Sequence, residues 1–353
     1  MKKVLITGST GMVGSHLADM IIAEHPEVTL FCTKRWRSPS TNVGHLVSKA
    51  NFVDCDLMDA SSCRELIEQT RPDYIFHLAA QSYVLDSWKH PQTTITNNTI
   101  MQLNLFEAIR YAKIDPIIQL ALSSEEYGRV YLDEVPINED NPLRPLSPYA
   151  VSKVSQDMLG YQYFMSYGLK VIRTRAFNHE GPRRGEVFVT SDFARQVAEI
   201  EAGLREPVIY VGNLEARRDW TDVRDMVQAY WLSVQHCTPG EVYVIASGKS
   251  RAIKEMLDIL INLAGIKPNI VVDPERLRPS DVVLLEGNPT KFKQITKWEP
   301  KITFEQTMSD ILNYWRHQLQ ISQVATAIRP VDKGSVPKVS LIYAEQKYTS
   351  LFP

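Results

Sequence analysis

The chain of 353 residues predicts an α/β fold: a doubly wound parallel sheet with helices on both faces and a smaller C-terminal lobe. Two observations predict it. Residues 4–14 read Val-Leu-Ile-Thr-Gly-Ser-Thr-Gly-Met-Val-Gly, a short apolar run that turns through glycines into an apolar-periodic segment. Strand-like runs then alternate with helical patterns as far as Arg175, which is the rhythm of parallel βαβ units.

Val4, Leu5 and Ile6 suit a strand buried on both faces. Gly8, Gly11 and Gly14 follow, with Met12 and Val13 before the last. Such a turn sets backbone N–H groups and a helix N-terminus against a pyrophosphate. Side chains at the glycines would hold the backbone away from the ligand. A helical pattern runs from Val13 to Ile22. Thr29–Thr33 reads as the second strand, Phe52–Asp54 as the third and Tyr74–Leu78 as the fourth. Ile117–Ser123 is the fifth and Lys170–Arg175 the sixth. Ala60–Glu68, Asn98–Tyr111 and Val151–Tyr167 are the helical stretches between them. Residues 1–176 are therefore expected to form a Rossmann-like dinucleotide-binding unit.

After Ala176, loops rich in Arg, Gly and Pro interrupt the periodicity. Val208–Val211 and Val242–Ala246 read as isolated strands. Residues 177–318 are expected to be mainly a substrate-binding lobe, with segments near 212–246 returning to the first unit. Residues 319–353 form a tail of no assigned role. Ile328–Pro353 carries three prolines and little helical period, and is either ordered by packing or partly disordered.

The formal net charge of −2 gives no reason to expect nucleic acid or a membrane surface as a partner. No apolar run is long enough to span a bilayer, and the first residues begin a strand and not a signal peptide. Cys32, Cys55, Cys63 and Cys237 lack metal-ligand spacing, so no metal is expected. Buried free thiols in a reducing cytoplasm are the expectation.

Tyr149 and Lys153 stand in Ser-Pro-Tyr-Ala-Val-Ser-Lys, with Pro148 at a helix start. Four residues apart, they share one helical face. An ammonium beside a phenol favours the phenolate, so Tyr149 can move a proton on or off a sugar hydroxyl while hydride passes to or from a nicotinamide. The fifth strand ends in Ser123-Ser124-Glu125-Glu126-Tyr127-Gly128. Ligands of open α/β sheets bind beyond the carboxyl ends of strands, which turns Ser123, Ser124 and Glu125 toward substrate. Glu125 suits a base for a C–H proton or an acid for a leaving hydroxyl; otherwise it caps or hydrogen-bonds substrate. Lys34, Arg35 and Arg37 follow the second strand without a carboxylate, which suits a 2′-phosphate and so NADP.

These residues together resemble the extended short-chain dehydrogenase/reductase family, in its nucleotide-sugar branch, over nearly the whole chain to about residue 318. Within it the chain is most similar to the GDP-mannose 4,6-dehydratases, and next to the GDP-6-deoxy-mannose reductases. By the resemblance, Asp56-Leu57 holds adenine and Leu78-Ala79-Ala80-Gln81-Ser82 is the cofactor-side loop. Residues 178–186, Asn-His-Glu-Gly-Pro-Arg-Arg-Gly-Glu, are similar to the dehydratases' "NHESPRRGE". That match implies substrate contact for Asn178, dinucleotide contact for His179 and Arg184, and an arginine loop that can meet a neighbouring subunit. Arg218, in Gly212–Trp220, is implied on the sugar-nucleotide diphosphate. Arg278-Pro-Ser-Asp281 resembles "RPTE", with Arg278 on phosphate and Asp281 near ribose.

The chain departs from the family at Ser123 for threonine, Asp281 for glutamate, Met101-Gln102 for "GT" and Gly181 for serine. Arginine suits a diphosphate independently of any resemblance, because its planar fork bonds two oxygens at once.

The resemblance implies a lyase that converts GDP-mannose to GDP-4-keto-6-deoxy-mannose by internal hydride transfer through NADP. The alternative is an oxidoreductase that reduces a 4-keto-6-deoxy sugar nucleotide with NADPH. A cofactor-sensing protein without catalysis is a third reading, against which the intact Tyr149–Lys153 pair argues. Guanine is selected over cytosine or uracil by resemblance alone, and a heptose can replace mannose. Asn98–Tyr111 and Val151–Tyr167 carry Leu103, Leu105, Phe106, Met158, Leu159 and Phe164, which serve either the core or a four-helix interface. The family pairs these helices, which implies a homodimer or homotetramer.

Overall fold

The computed structural model describes residues 1–278 and 282–327. Its first half runs β1 (Lys3–Thr7), α1 (Met12–Glu24), β2 (Thr29–Lys34), β3 (Asn51–Asp54), α2 (Ala60–Thr70), β4 (Tyr74–His77), α3 (Val84–Lys89), α4 (Pro91–Tyr111), β5 (Ile117–Ala121), α5 (Pro148–Tyr167) and β6 (Lys170–Ala176). The second half runs β7 (Asn178–Glu180), α6 (Val189–Glu201), β8 (Val208–Val211), β9 (Arg217–Asp222), α7 (Val223–His236), β10 (Val242–Ile245), β11 (Ser250–Ala252), α8 (Ile253–Ala264), β12 (Asn269–Val272), β13 (Leu284–Leu285), α9 (Thr290–Thr296) and α10 (Phe304–Ala327).

Seven parallel strands make the main sheet in the order β10-β6-β5-β4-β1-β2-β3. Side chains of β1 alternate between its faces. Val4 and Ile6 enter a core with Leu17 and Ile21 of α1 and Tyr230 and Trp231 of α7. Leu5 enters the opposite core with Leu66 of α2, Phe106 of α4 and Tyr163 of α5. Each such apolar side chain contributes roughly 1.5–3 kcal/mol on burial. Strand order reverses between β1 and β4, which opens a crevice at their carboxyl ends.

Val242–Ile245 is not isolated: it closes the main sheet against β6, with Val242 opposite Arg173. Val208–Val211 pairs with β12, and β9 carries β7, β11 and β13. The interrupted periodicity after Ala176 conceals four substantial helices. α6, α8 and α10 enclose a separate core of Phe193, Val197, Ile209, Met256, Leu260 and Ile311, while α7 returns to the main sheet. α4 begins at Pro91, earlier than the apolar period indicates, and α3 precedes it.

Leu105 and Phe106 are core residues of their own chain, and Leu103 and Leu159 pack against that core. Met158 remains exposed, together with Val151, Tyr161 and Met165 of the same helix. Gly181 has a local reason: a Cβ there would collide with the Val223 side chain, so the family's serine does not fit. Gln102, in place of threonine, donates to the Gln156 carbonyl at 2.8 Å and ties α4 to α5. Among the described residues, the four cysteines are free and buried, no group of acidic, His or Cys residues is arranged for a metal, and no helix is long and apolar enough to cross a membrane.

Candidate active site

A cleft of ≈ 900 Å³ runs from the β1–β4 crevice into the second lobe. Its floor is the glycine turn. Gly8 has φ +72°, and a Cβ there would lie 2.8 Å from the Ala79 amide nitrogen. A Cβ on Gly14 would overlap the Gly8 carbonyl, so helix and turn can touch only through glycine. Gly11 caps α1 without a side-chain bond, and no acidic residue occupies the first turn. The first amides of α1 therefore remain available to an anion, and Met12 and Val13 line the cleft beside them. This cradle fits a dinucleotide pyrophosphate.

Asp56 and Leu57, expected at adenine, and Leu78, Ala79, Ala80 and Ser82, expected as the cofactor-side loop, all line the cleft. Lys34 and Arg35 line it as well, Lys34 held by Asp54 at 2.7 Å. Arg37 does not line the cleft, contrary to the sequence-based expectation. Its guanidinium stacks on the exposed Trp36 ring, 4.3 Å from the centroid, which turns it outward. Ser38 takes its place in the wall and accepts the Arg35 N–H at 3.1 Å. Lys34, Arg35 and Ser38, the cleft-lining residues at and just after the end of β2, suit a 2′-phosphate.

The Ser147 hydroxyl caps α5 by accepting the Ala150 N–H at 3.1 Å, with Pro148 in the first turn. One turn of α5 then presents Tyr149 and Lys153, both buried, to the cleft. The Lys153 ammonium donates to the Ala121 carbonyl at 2.8 Å, and burial brings its pKa down to about 8. Burial pushes the Tyr149 phenol up, while the Ser123 hydroxyl and the Arg184 charge pull it back. Ser123, Ser124 and Glu125 line the same wall beyond β5. The Glu125 carboxylate meets Arg278 Nη1 at 3.5 Å.

Asn178, His179 and Arg184 close the cleft from the second lobe. His179 Nδ1 lies 3.0 Å from the Phe177 carbonyl. Burial and Arg184 take its pKa to about 4, so the ring is neutral and Nδ1–H donates. Arg184 lies over the Phe188 ring at 3.6 Å and 3.5 Å from the Glu180 carboxylate. Arg218 is buried in the wall and donates to the Val282 carbonyl at 2.6 Å. Asp281 lies outside the described residues.

Sequence reasoning missed Tyr83, Phe188, Asp192 and Arg276, all of which line the cleft. Asp192 pairs with Arg276 and accepts from Gln196 at 2.8 Å. Phe188 and Asp192 stand at the start of α6, whose Phe193–Val197 and Ala194–Ala198 spacing was a readable helical signal.

Comparison with known proteins adds a family. A family model described as GDP-mannose 4,6 dehydratase matches residues 5–311. GDP-mannose 4,6 dehydratase 1 of Arabidopsis thaliana is 35% identical over 320 residues, spanning 86% of this chain and 87% of its own. GDP-6-deoxy-D-mannose reductase of Pseudomonas aeruginosa is 31% identical over 320 residues, spanning 90% and 99%. The solved structure of RMD from Pseudomonas aeruginosa complexed with NADPH has a TM-score of 0.79 and 30% identity, covering 90% of this chain and all 100% of that one. A UDP-glucose 4-epimerase from Thermotoga maritima has a TM-score of 0.80 at 28% identity, covering 90% and 99%.

Proposed function

The chain belongs to the GDP-mannose 4,6-dehydratase family, and on that premise we propose that it is an NADP-dependent lyase that removes water from GDP-mannose to give GDP-4-keto-6-deoxy-mannose. The observation that carries this reading is the position of Glu125. Its carboxylate shares one cleft with Tyr149, Lys153 and Ser123, and leans toward an arginine of the second lobe. A reaction that only exchanges hydride and a hydroxyl proton needs the Tyr–Lys pair but no further base.

The Gly8–Gly14 turn, Lys34 and Arg35 would hold NADP, which would supply reversible hydride chemistry between C4 and C6 of the sugar and leave the reaction redox-neutral. Tyr149 takes the C4 hydroxyl proton. Burial and the Glu125 and Glu126 carboxylates raise its phenol, while the Ser123 hydroxyl and the Arg184 charge oppose them. Ser123 offers a hydroxyl to the same sugar oxygen. Once C4 is a ketone the C5 proton is acidified; Glu125 abstracts it and passes it to the C6 hydroxyl, which leaves as water, and C5 regains a proton from Tyr149 when hydride adds at C6. Arg218 and Arg278 hold the diphosphate with forked donors, and Ser124 and Asn178 contact the sugar.

Residues 1–176, with α7 and β10, are the dinucleotide unit in this reading, and residues 177–318 mainly bind substrate. Buried free thiols suit the cytoplasm. Val151, Met158, Tyr161 and Met165, exposed on α5, suit a second copy of the chain, giving a homodimer or homotetramer.

The test is incubation of the purified protein with GDP-mannose, without added reductant, followed by mass spectrometry. Loss of one water from the sugar is expected. An unchanged GDP-mannose, with NADPH consumed only when a 4-keto-6-deoxy sugar nucleotide is supplied, overturns the reading in favour of the reductase.

A further inference from the structure

Ser123-Ser124-Glu125 line the cleft, but the next residue does not. Glu126 is fully buried beneath them, and the reaction above gives it no part. Its Oε1 accepts the Ser123 backbone N–H at 2.9 Å, while the Ser123 hydroxyl accepts the Glu125 N–H at 3.2 Å. This reciprocal cap closes the single turn Ser124–Glu126 on itself. The other carboxyl oxygen, Oε2, faces Arg175 Nε at 3.5 Å.

Arg175 is itself fixed. It donates to Asp157 Oδ2 from Nε at 2.9 Å and from Nη2 at 2.7 Å, and to the Tyr127 hydroxyl at 3.1 Å. Arg173 holds the other Asp157 oxygen at 2.8 Å. Asp157 lies one turn beyond Lys153 on α5, and both arginines belong to β6. The same carboxyl thus touches the turn that carries Ser123 and Glu125, and sits against the network that anchors the helix carrying Tyr149 and Lys153.

We propose that Glu126 is the positioning residue of the catalytic turn: through the Ser123 backbone and Arg175 it holds the Ser123 hydroxyl and the Glu125 carboxylate in register with Tyr149. It does not reach substrate. Burial and the Asp157 charge raise its pKa well above the ordinary carboxylate range, with Arg175 opposing. The amide of glutamine keeps the shape of the side chain and one acceptor oxygen for the Ser123 N–H.

The inference rests on the proposed reaction, so variants are compared with the parent in whichever reaction the parent performs, dehydration or NADPH-dependent reduction. Glu126→Gln keeps kcat within about threefold of the parent. Glu126→Leu leaves the Ser123 N–H unpaired, and a misplaced group costs about 10²-fold in kcat. KM for the sugar nucleotide and the nucleotide content of the protein stay unchanged. Ser123→Ala with Glu126→Leu is no worse than Glu126→Leu alone, because that variant already misplaces the Ser123 hydroxyl. A Glu126→Leu protein with reduced Tm and undiminished kcat overturns the proposal, and so does full additivity with Ser123→Ala. Should Glu126→Leu fail to fold, Glu126→Asp, one methylene too short for the Ser123 N–H, replaces it. Loss of kcat in Asp but not in Gln supports the proposal, and equal activity in both defeats it.

Discussion

Glu125 and Arg278, 153 residues apart in the chain, meet across the cleft at 3.5 Å. The contact joins the group assigned to proton abstraction with a group assigned to the substrate diphosphate. The two can therefore be separated by mutation. Glu125→Gln removes the base but keeps the shape, so water loss falls by ~10²–10⁴-fold while hydride still leaves C4. Reduced-nicotinamide absorbance then rises on adding GDP-mannose without a 6-deoxy product. Arg278→Ala raises KM instead, roughly 10–100-fold, the equivalent of ~1.5–3 kcal/mol for a charge-assisted bond. Equal effects of both variants on KM alone exclude Glu125 as the base.

Tyr149→Phe removes one oxygen from a buried helix position set by its neighbours. Turnover should fall ~10²–10⁴-fold with the thermal midpoint and bound nucleotide nearly unchanged. Activity within a few-fold of the parent shows that the Tyr149–Lys153 pair is structural.

Nucleotide released by denaturing the purified protein should be NADP, because the cations Lys34 and Arg35 line the cleft after β2. Gly14→Ala places a methyl on the Gly8 carbonyl and should reduce the recovered nucleotide at least roughly tenfold. Recovery of NAD alone contradicts the assignment.

Acid should destabilise the fold through three histidines, His77 buried and His16 and His179 half-buried. Burial takes His16 and His179 to about 4 and His77 to about 3, from 6.5 in the unfolded chain. Folding favours their neutral forms, so their contribution is complete above pH 6.5 and is lost as pH falls toward 4. Each tenfold weakening of proton affinity is worth ~1.4 kcal/mol, so the three together contribute on the order of several kcal/mol. Asp219, raised by burial to about 6, acts in the opposite sense, losing stability as pH rises from 3.8 to 6. Thermal midpoints between pH 7.5 and 4 should fall, and a flat profile refutes the assignment of neutral rings.

Val151, Met158 and Met165 recur every seven residues on α5, with Tyr161 between them, and Met165 is 62% exposed. Such a stripe is expected to pair with its copy. Met158→Glu with Met165→Glu should convert the oligomer to monomer by light scattering. A parent that is already monomeric at micromolar concentration defeats the prediction.

The parts of the site that were legible in the sequence are those imposed by local geometry. Gly8 and Gly14 are dictated by a left-handed turn and a backbone contact, and Tyr149 and Lys153 by one turn of helix. Other features depend on partners far along the chain. Arg37 is the exception, captured by its own neighbour Trp36 through a side-chain orientation that the sequence does not announce. Asp192 and Arg276 meet only because α6 faces the segment after β12. Leu105 and Phe106 read equally as core or interface residues, because an apolar helix face does not disclose which of two neighbours covers it.

The place of β10 has a consequence for how the protein can be cut or made. The main sheet takes its last strand from residues 242–245, long after β6 has been synthesised. A fragment ending at 176 would carry every glycine of the dinucleotide turn, yet β6 would stand as a bare edge, with its outward amides and carbonyls open to any passing chain. The nascent chain faces the same hazard on the ribosome until β10 emerges. The two lobes are thus neither separable modules nor independent folding events, and truncation at their boundary should yield aggregate in place of a nucleotide-binding domain.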